Sequence, residues 1–240
     1  MQLGGKTILL TGGTDGIGLR LARQLRAKGA SVTVTGRTPA RIAAAEEEGF
    51  AVIPADLTGP EGVEAVVAAL GTRPIDILVN NAGMGAAHDF RIAPPLAEDD
   101  EHTLWLNLHA PIRLIAALMP VLRARKEAMI VNVTSGLAIA PNAGSPVYCA
   151  TKAALRSYTQ ALRGQLKGTG IHVLEALPPV VDTAMTAARS GSKLSPEECA
   201  RQIVSAMERG KDEANVGMVK VLQAVHSLSP ALARSILLRF

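Results

Sequence analysis

Apolar positions along the chain alternate between two rhythms. Short β-branched runs, KTILLT (6–11), SVTVTG (31–36), AVIPA (51–55), DILVN (76–80), MIVNVTS (129–135) and IHVLEA (171–176), read as strands. Between them, 18–28, 39–48, 59–70, 99–123 and 146–167 repeat their apolar residues at helical spacing. Strands that alternate with amphipathic helices imply βαβ crossovers and a parallel sheet covered on both faces. The fold class expected is α/β, a single-domain doubly wound (Rossmann-type) parallel sheet with helices on both faces. In such sheets ligands bind beyond the carboxyl ends of the strands, where strand order reverses, so residues just after each strand are the candidates for chemistry.

Past the sixth strand the chain is less regular. VDTAMTAARSGSKLS (181–195) is the longest irregular stretch near a strand end and reads as a mobile lid. Ser195-Pro196 followed by Glu197 and Glu198 has the pattern of an N-cap, a first-turn proline and dipole-matched acids. A short strand is expected around 215–217, and 218–240 reads as an amphipathic, basic helical tail in which Ser229-Pro230 starts a new helix. Packing on the domain or on a second subunit is the plain reading of that tail. Attachment to a membrane surface through Arg234, Arg239 and the leucines is the sharper one.

Composition narrows the class. With 240 residues, 48% of them hydrophobic, the chain can bury a sizeable core, and residues 1–240 are expected to form one domain. The first apolar run is short for a signal peptide and no later stretch holds about 18 uncharged apolar residues, which makes the cytosol the expected address. Cys149 and Cys199 have no metal-ligand spacing between them or with the five histidines. A formal charge of +4, scattered along helices without interleaved aromatics, argues against nucleic acid and leaves room for an anionic ligand.

The first candidate site is TGGTDGIG (11–18), directly after the first strand. Glycines allow a sharp turn and a close approach of pyrophosphate to backbone N–H groups, and the following helix presents its positive end. Gly12, Gly16 and Gly18 depart from the GxGxxG spacing, and a ligand-free glycine turn is the bland alternative. About 20 residues on, where an NAD-binding protein has an acid for the ribose hydroxyl, the second strand ends in Thr35-Gly36-Arg37. A guanidinium suits a 2′-phosphate, so NADP(H) is expected ahead of NAD(H), with Asp15 an unhelpful neighbour.

The second candidate is PVYCATKAAL (146–155). Tyr148 and Lys152 stand four apart on a predicted helix and share a face. A nearby ammonium favours the phenolate, which lowers a tyrosine pKa from about 10 and makes Tyr148 a general acid or base.

Together TGGTDGIG, NNAG (80–83), Asn107, VTS ending at Ser135, and YCATK resemble, in order and spacing, the short-chain dehydrogenase/reductase family from about Lys6 to Met185. The resemblance implies a catalytic set of Asn107, Ser135, Tyr148 and Lys152. Tyr148 would be the proton donor and acceptor, and Lys152 would tune it and bond the nicotinamide ribose. Ser135 would bond the substrate oxygen, and Asn107 would hold a proton-relay water. Gly12, Thr14, Gly16, Ile17 and Gly18 match the family's pyrophosphate turn, Asp56 and Leu57 the pair beside adenine, and Asn81, Ala82 and Gly83 the loop near the cofactor ribose. Where the family has Pro-Gly after the sixth strand this chain has LPPVVDT (177–183), with Pro179 in the glycine's place. Val181 and Thr183 match the nicotinamide contacts that follow, and Pro179 is expected to stiffen a turn whose path tolerates it. No metal is implied. The tail departs from the family's common C-terminal strand, and the chain looks like a less studied branch of oxidoreductases with a PP turn and a helical tail.

The resulting expectation is a cytosolic NADP(H)-dependent oxidoreductase that interconverts a carbonyl and an alcohol, acting on a small molecule and assembling as a dimer or tetramer. The alternatives are an NADP(H)-binding regulatory protein with little turnover and a scaffold that uses its tail. Residues 84–96, the stretch after Ser135 and the lid after Thr183 are expected to line a pocket for an uncharged, rather apolar substrate.

Overall fold

The computed structural model describes every residue except Ala86, Pro95 and Phe240, so those positions of the expected pocket lining and tail lie outside the described residues. Seven parallel strands form one sheet in the order β3-β2-β1-β4-β5-β6-β7. They are β1 Thr7–Leu10, β2 Ser31–Gly36, β3 Ala51–Pro54, β4 Ile77–Asn80, β5 Ala128–Val133, β6 Ile171–Leu177 and β7 Glu213–Asn215. The last strand is short and lies two residues earlier than its sequence signal.

Alternation along each strand divides the interior in two. Ile8 and Leu10 of β1, Ile77 and Val79 of β4, and Met129 and Val131 of β5 face one core, which is closed by α1 (Gly16–Ala27) and α7 (Pro196–Glu208). Leu9, Leu78 and Ile130, the intervening residues, face the other, which is closed by α3 (Pro60–Leu70), α5 (Ala110–Arg123) and α6 (Pro146–Gln165). Both faces being covered is why these strands read as near-continuous apolar runs. The remaining helices are α2 (Pro39–Glu47), α4 (Ala97–Leu104), α8 (Val219–Leu228) and α9 (Pro230–Leu237).

The helix starts follow their local signals. Ser195 and Ser229 accept hydrogen bonds from the backbone N–H of Glu198 (3.2 Å) and Leu232 (3.3 Å), with Pro196 and Pro230 in the first turns of α7 and α9.

The helix expected over 99–123 begins two residues earlier and is interrupted: Trp105–His109 forms a π turn in which the Ala110 N–H bonds the Trp105 carbonyl. Pro111 supplies the cause. It stands four residues after Asn107, has no N–H to offer the Asn107 carbonyl, and its ring would clash there in a regular helix; the wider π turn relieves the conflict. By length and composition this run, Ala97–Arg123, could cross a membrane once one or two charged residues are admitted, whereas the sequence was expected to hold no such stretch. Its Leu106, Ala110, Leu114, Leu118 and Leu122 are packed in the second core.

Candidate active site

Strand order reverses between β1 and β4, and the loops leaving these two strands are tied together by one side chain. The Thr11 hydroxyl accepts the backbone N–H groups of Asn81 and Ala82, both at 3.0 Å. In return the Asn81 amide donates to the carbonyls of Thr11 (3.0 Å) and Gly12 (3.2 Å). The loop at Asn81 thus fixes the glycine turn from below. Thr11 was not singled out from the sequence; its signal was only its position as the last residue before the turn.

Two glycines of the turn leave no room for a side chain. Gly12 has φ +65°, and a Cβ there would lie 2.9 Å from the Ala82 Cα. A Cβ on Gly18 would lie 2.1 Å from the Gly12 carbonyl oxygen. The Asp15 carboxylate caps α1 by accepting the Gly16 N–H at 2.7 Å. Its other oxygen pairs with Arg41 at 3.0 Å. The acid expected to repel a phosphate is therefore compensated by an arginine from α2 that the sequence reading passed over. Because the clash at Gly18 is with backbone, Gly18→Ala is expected to cost more than about 2 kcal/mol in chemical denaturation, with dinucleotide affinity lost in calorimetry.

A cavity of about 420 Å³ runs from this turn to the end of β5. Of the residues assigned from the sequence, Gly16, Ile17, Gly18, Asn81, Ala82, Gly83, Ser135, Tyr148, Lys152, Val181 and Thr183 line it. Gly12 lies beneath Ala82, and Thr14 packs on Gly36 at the end of β2. Leu57 is turned into the second core. Arg37 and Asp56 form an exposed ion pair at 3.3 Å beyond the cavity, off the ends of β2 and β3. The turn through Pro178 and Pro179 accommodates proline, since no described non-glycine residue has positive φ. Val181 is buried and bridges to Leu194, while Thr183 caps a 3₁₀ turn at Ala184–Thr186; the expected lid is thus partly ordered by backbone bonds.

The four residues assigned to catalysis converge. Ser135 follows β5, and its Oγ accepts the Leu137 N–H at 3.1 Å, which leaves the hydroxyl proton free to donate. Lys152 is almost fully buried and its ammonium donates to the Val133 carbonyl at 3.0 Å. It also stands 5.7 Å from the centroid of the Tyr148 ring. A Cβ on Gly83 would approach both the Asn107 Oδ1 (3.2 Å) and the Lys152 Nζ (3.4 Å), which brings these two side-chain ends to the same face of one glycine. The Asn107 side chain itself is spent on structure: its Oδ1 accepts the Met84 N–H at 2.9 Å, and its amide donates to the Met84 carbonyl (2.7 Å) and to Thr151 Oγ1 (3.1 Å). Gly85, expected from the sequence only as part of the 84–96 pocket lining, is the surface against which the Tyr148 ring packs; a Cβ there would lie 2.6 Å from Tyr148 Cδ2.

The electrostatics differ from the sequence argument. Burial raises the Tyr148 pKa above its ordinary value, with the neighbouring Ser135 hydroxyl pulling the other way. Burial also lowers Lys152 to about 8. The expected depression of Tyr148 by the lysine is therefore not what the isolated chain has. Desolvation is the leading cause of both shifts, because each group sits in a low-dielectric wall where a single charge is poorly tolerated.

Comparisons with known proteins fall on this frame. The family model described as short chain dehydrogenase matches residues 6–193. The chain belongs to that family. An oxidoreductase called DltE, described as uncharacterized, from Bacillus subtilis (strain 168) is 38% identical over 223 residues, which is 89% of this chain and 88% of that protein. Among solved structures, a short-chain dehydrogenase from Sphingobium yanoikuyae in complex with NADPH is 28% identical at TM-score 0.82, covering 95% of this chain and 94% of the other. A short chain dehydrogenase from Burkholderia cenocepacia J2315 in complex with NADP has TM-score 0.88 and 24% identity, covering 99% of both chains, and that likeness is one of fold. The family is one of oxidoreductases that bind nicotinamide cofactors.

A dinucleotide fits the residues present. A turn with no space for a Cβ at Gly12 or Gly18, the N-terminal turn of α1 lining the cavity at residues 16–18 and a cavity continuing to Lys152 form a cradle of the kind a pyrophosphate and its riboses occupy.

Proposed function

We propose that this short-chain dehydrogenase is an NADP(H)-dependent enzyme that interconverts a carbonyl and an alcohol on a small molecule. The observation that carries the reading is the meeting of Ser135 and Tyr148 at the boundary of two cavities, one lined by the glycine turn and one reaching toward the C-terminal helices.

The cofactor, when bound, supplies or accepts the hydride. The chain's own residues do the rest. With one lone pair engaged by the Leu137 N–H, Ser135 offers its proton to the substrate oxygen, where negative charge grows as the carbonyl is reduced. Tyr148, kept protonated at neutral pH by burial, gives its proton to the same oxygen. Lys152 spends one donor on Val133 and has two others for ribose hydroxyls and the phenol. Asn107 acts chiefly by locking Met84 and Thr151, which hold the loop and helix that carry Gly83 and Lys152.

Support for NADP(H) over NAD(H) is a pair of arginines, Arg37 and Arg41, at the carboxyl end of β2 and the start of α2, each held by an acid. Arg37→Ala is expected to weaken NADPH roughly tenfold or more while leaving NADH nearly unaffected, a shift set by loss of one charge-assisted contact to the 2′-phosphate. Unchanged preference between the two cofactors would count against the assignment. The reaction is tested by loss of NADPH absorbance across ketones, aldehydes and quinones, with NADH run beside it. Consumption with at least one carbonyl class is expected, and its absence across the panel despite tight NADPH binding would overturn the reading.

A further inference from the structure

A second cavity, about 560 Å³, opens from Ser135 and Tyr148 and ends against the C-terminal tail. Leu222 and Val225 of α8 and Ile236 of α9 contribute its far wall. Both helices are seated rather than appended. Val219 of α8 and Ala233 of α9 are buried, and Gly136, the residue after Ser135, is bare where α8 sits: a Cβ there would lie 2.9 Å from Val219 Cγ2.

A small polar carbonyl compound gains little from such walls, whereas each methylene laid against them strengthens binding about fourfold. One lining residue breaks the apolar character. Arg189 is the only charged side chain among the described residues that line the cavity. Its guanidinium donates to the Ser145 hydroxyl at 3.3 Å, and Ser145 precedes α6 by one residue, about one helical turn before Tyr148. Lys193, on the same loop, is paired with Asp182 at 3.5 Å; no carboxylate pairs with Arg189 among the described residues. A half-buried guanidinium with spare donors at the edge of an apolar chamber is matched by an anion that arrives with the ligand.

We propose that the substrate is an aliphatic oxo acid, with its carbonyl at Ser135 and Tyr148, its alkyl chain along Leu222, Val225 and Ile236, and its carboxylate on Arg189. The reaction itself rests on the function proposed above; the binding of chain and carboxylate does not.

Calorimetric titration of the purified protein with saturated fatty acids from butanoate to decanoate, and with 1-decanol, in the presence of NADP⁺, tests the binding without turnover. Affinity is expected to rise roughly threefold to fourfold per added methylene. Arg189→Gln is expected to lower the ratio of decanoate to decanol affinity at least tenfold. Val225→Trp, which fills the chamber, is expected to weaken decanoate strongly and butanoate little, a pattern that misfolding would not produce. Affinity independent of chain length, or equal losses for decanoate and decanol in Arg189→Gln, would overturn the proposal. Fatty acid binding of the expected pattern beside a complete lack of turnover on oxo acids and on every other carbonyl class would remove the reductase reading and leave the chamber; turnover of short polar ketones with no dependence on chain length would do the reverse.

Discussion

Tyr148→Phe is expected to lower turnover by roughly 10³-fold or more while NADPH binds with nearly unchanged affinity. General acid catalysis by a positioned group contributes about 10²–10⁴ in rate. Here the tyrosine lies with Ser135 where the two cavities join, and no other phenol lines either of them among the described residues. Phenylalanine keeps the ring packed on Gly85 and removes only the hydroxyl group. Single-turnover kinetics and calorimetry separate the two effects. Turnover equal to that of the parent would remove Tyr148 from the chemistry, and lost cofactor affinity would mean that the phenol has a structural duty instead.

Lys152→Met is expected to do two opposite things. Turnover falls by roughly 10²-fold or more, because a positioned cation beside the phenol, proposed above to hold the cofactor ribose as well, is removed. Stability of the cofactor-free protein rises. Lys152 is 4% exposed, and burial lowers its pKa to about 8 from an ordinary 10.5, so the folded state disfavours its charge. Below pH 8 the lysine is protonated in both folded and unfolded chains, and the full cost of burying the ammonium is present. Between about 8 and 10.5 the unfolded chain binds more protons than the folded one, so the parent regains stability as pH rises; above 10.5 the amine is neutral in both states and the cost is gone. The variant should therefore melt ~5 °C or more above the parent at pH 7, with the difference shrinking toward zero above pH 10.5. A lower Tm at pH 7, or a difference that grows with pH, would refute the account. Comparing parent and variant cancels the buried thiols and tyrosines, which titrate in the same range.

A cost of this kind, here in the proposed active site, is what stability selection alone would remove. It also explains why the first expectation for Tyr148 was incomplete. Spacing places Tyr148 and Lys152 on one face of α6 and allows the inference that an ammonium stabilises a phenolate. It says nothing of how deeply the pair is buried, and desolvation has the larger effect on both groups.

Much of the framework was legible because it is local or periodic. Residues two apart on a strand face the same core, and residues three or four apart share a helix face, so the apolar runs determined the strand and helix order. Serine caps and first-turn prolines marked the starts of α7 and α9, and the absence of side chains at Gly12, Gly16 and Gly18 marked a tight turn after β1. The interrupted helix at Trp105–His109 was legible in principle, since Pro111 denies the Asn107 carbonyl its helical partner, but whether a proline kinks, breaks or widens a helix is settled by what packs around it. Three features were decided by tertiary structure alone. Arg41 comes to the Asp15 cap because α2 and α1 start side by side, and Thr11 meets Asn81 because β1 and β4 are neighbours across the switch in strand order. The amphipathic tail, for which the sequence leaves packing on the domain, a second subunit or a membrane open, lies on the domain along the cavity that opens from Ser135 and Tyr148. An apolar helical stripe records that a surface must be covered; only the fold determines which surface is left uncovered nearby.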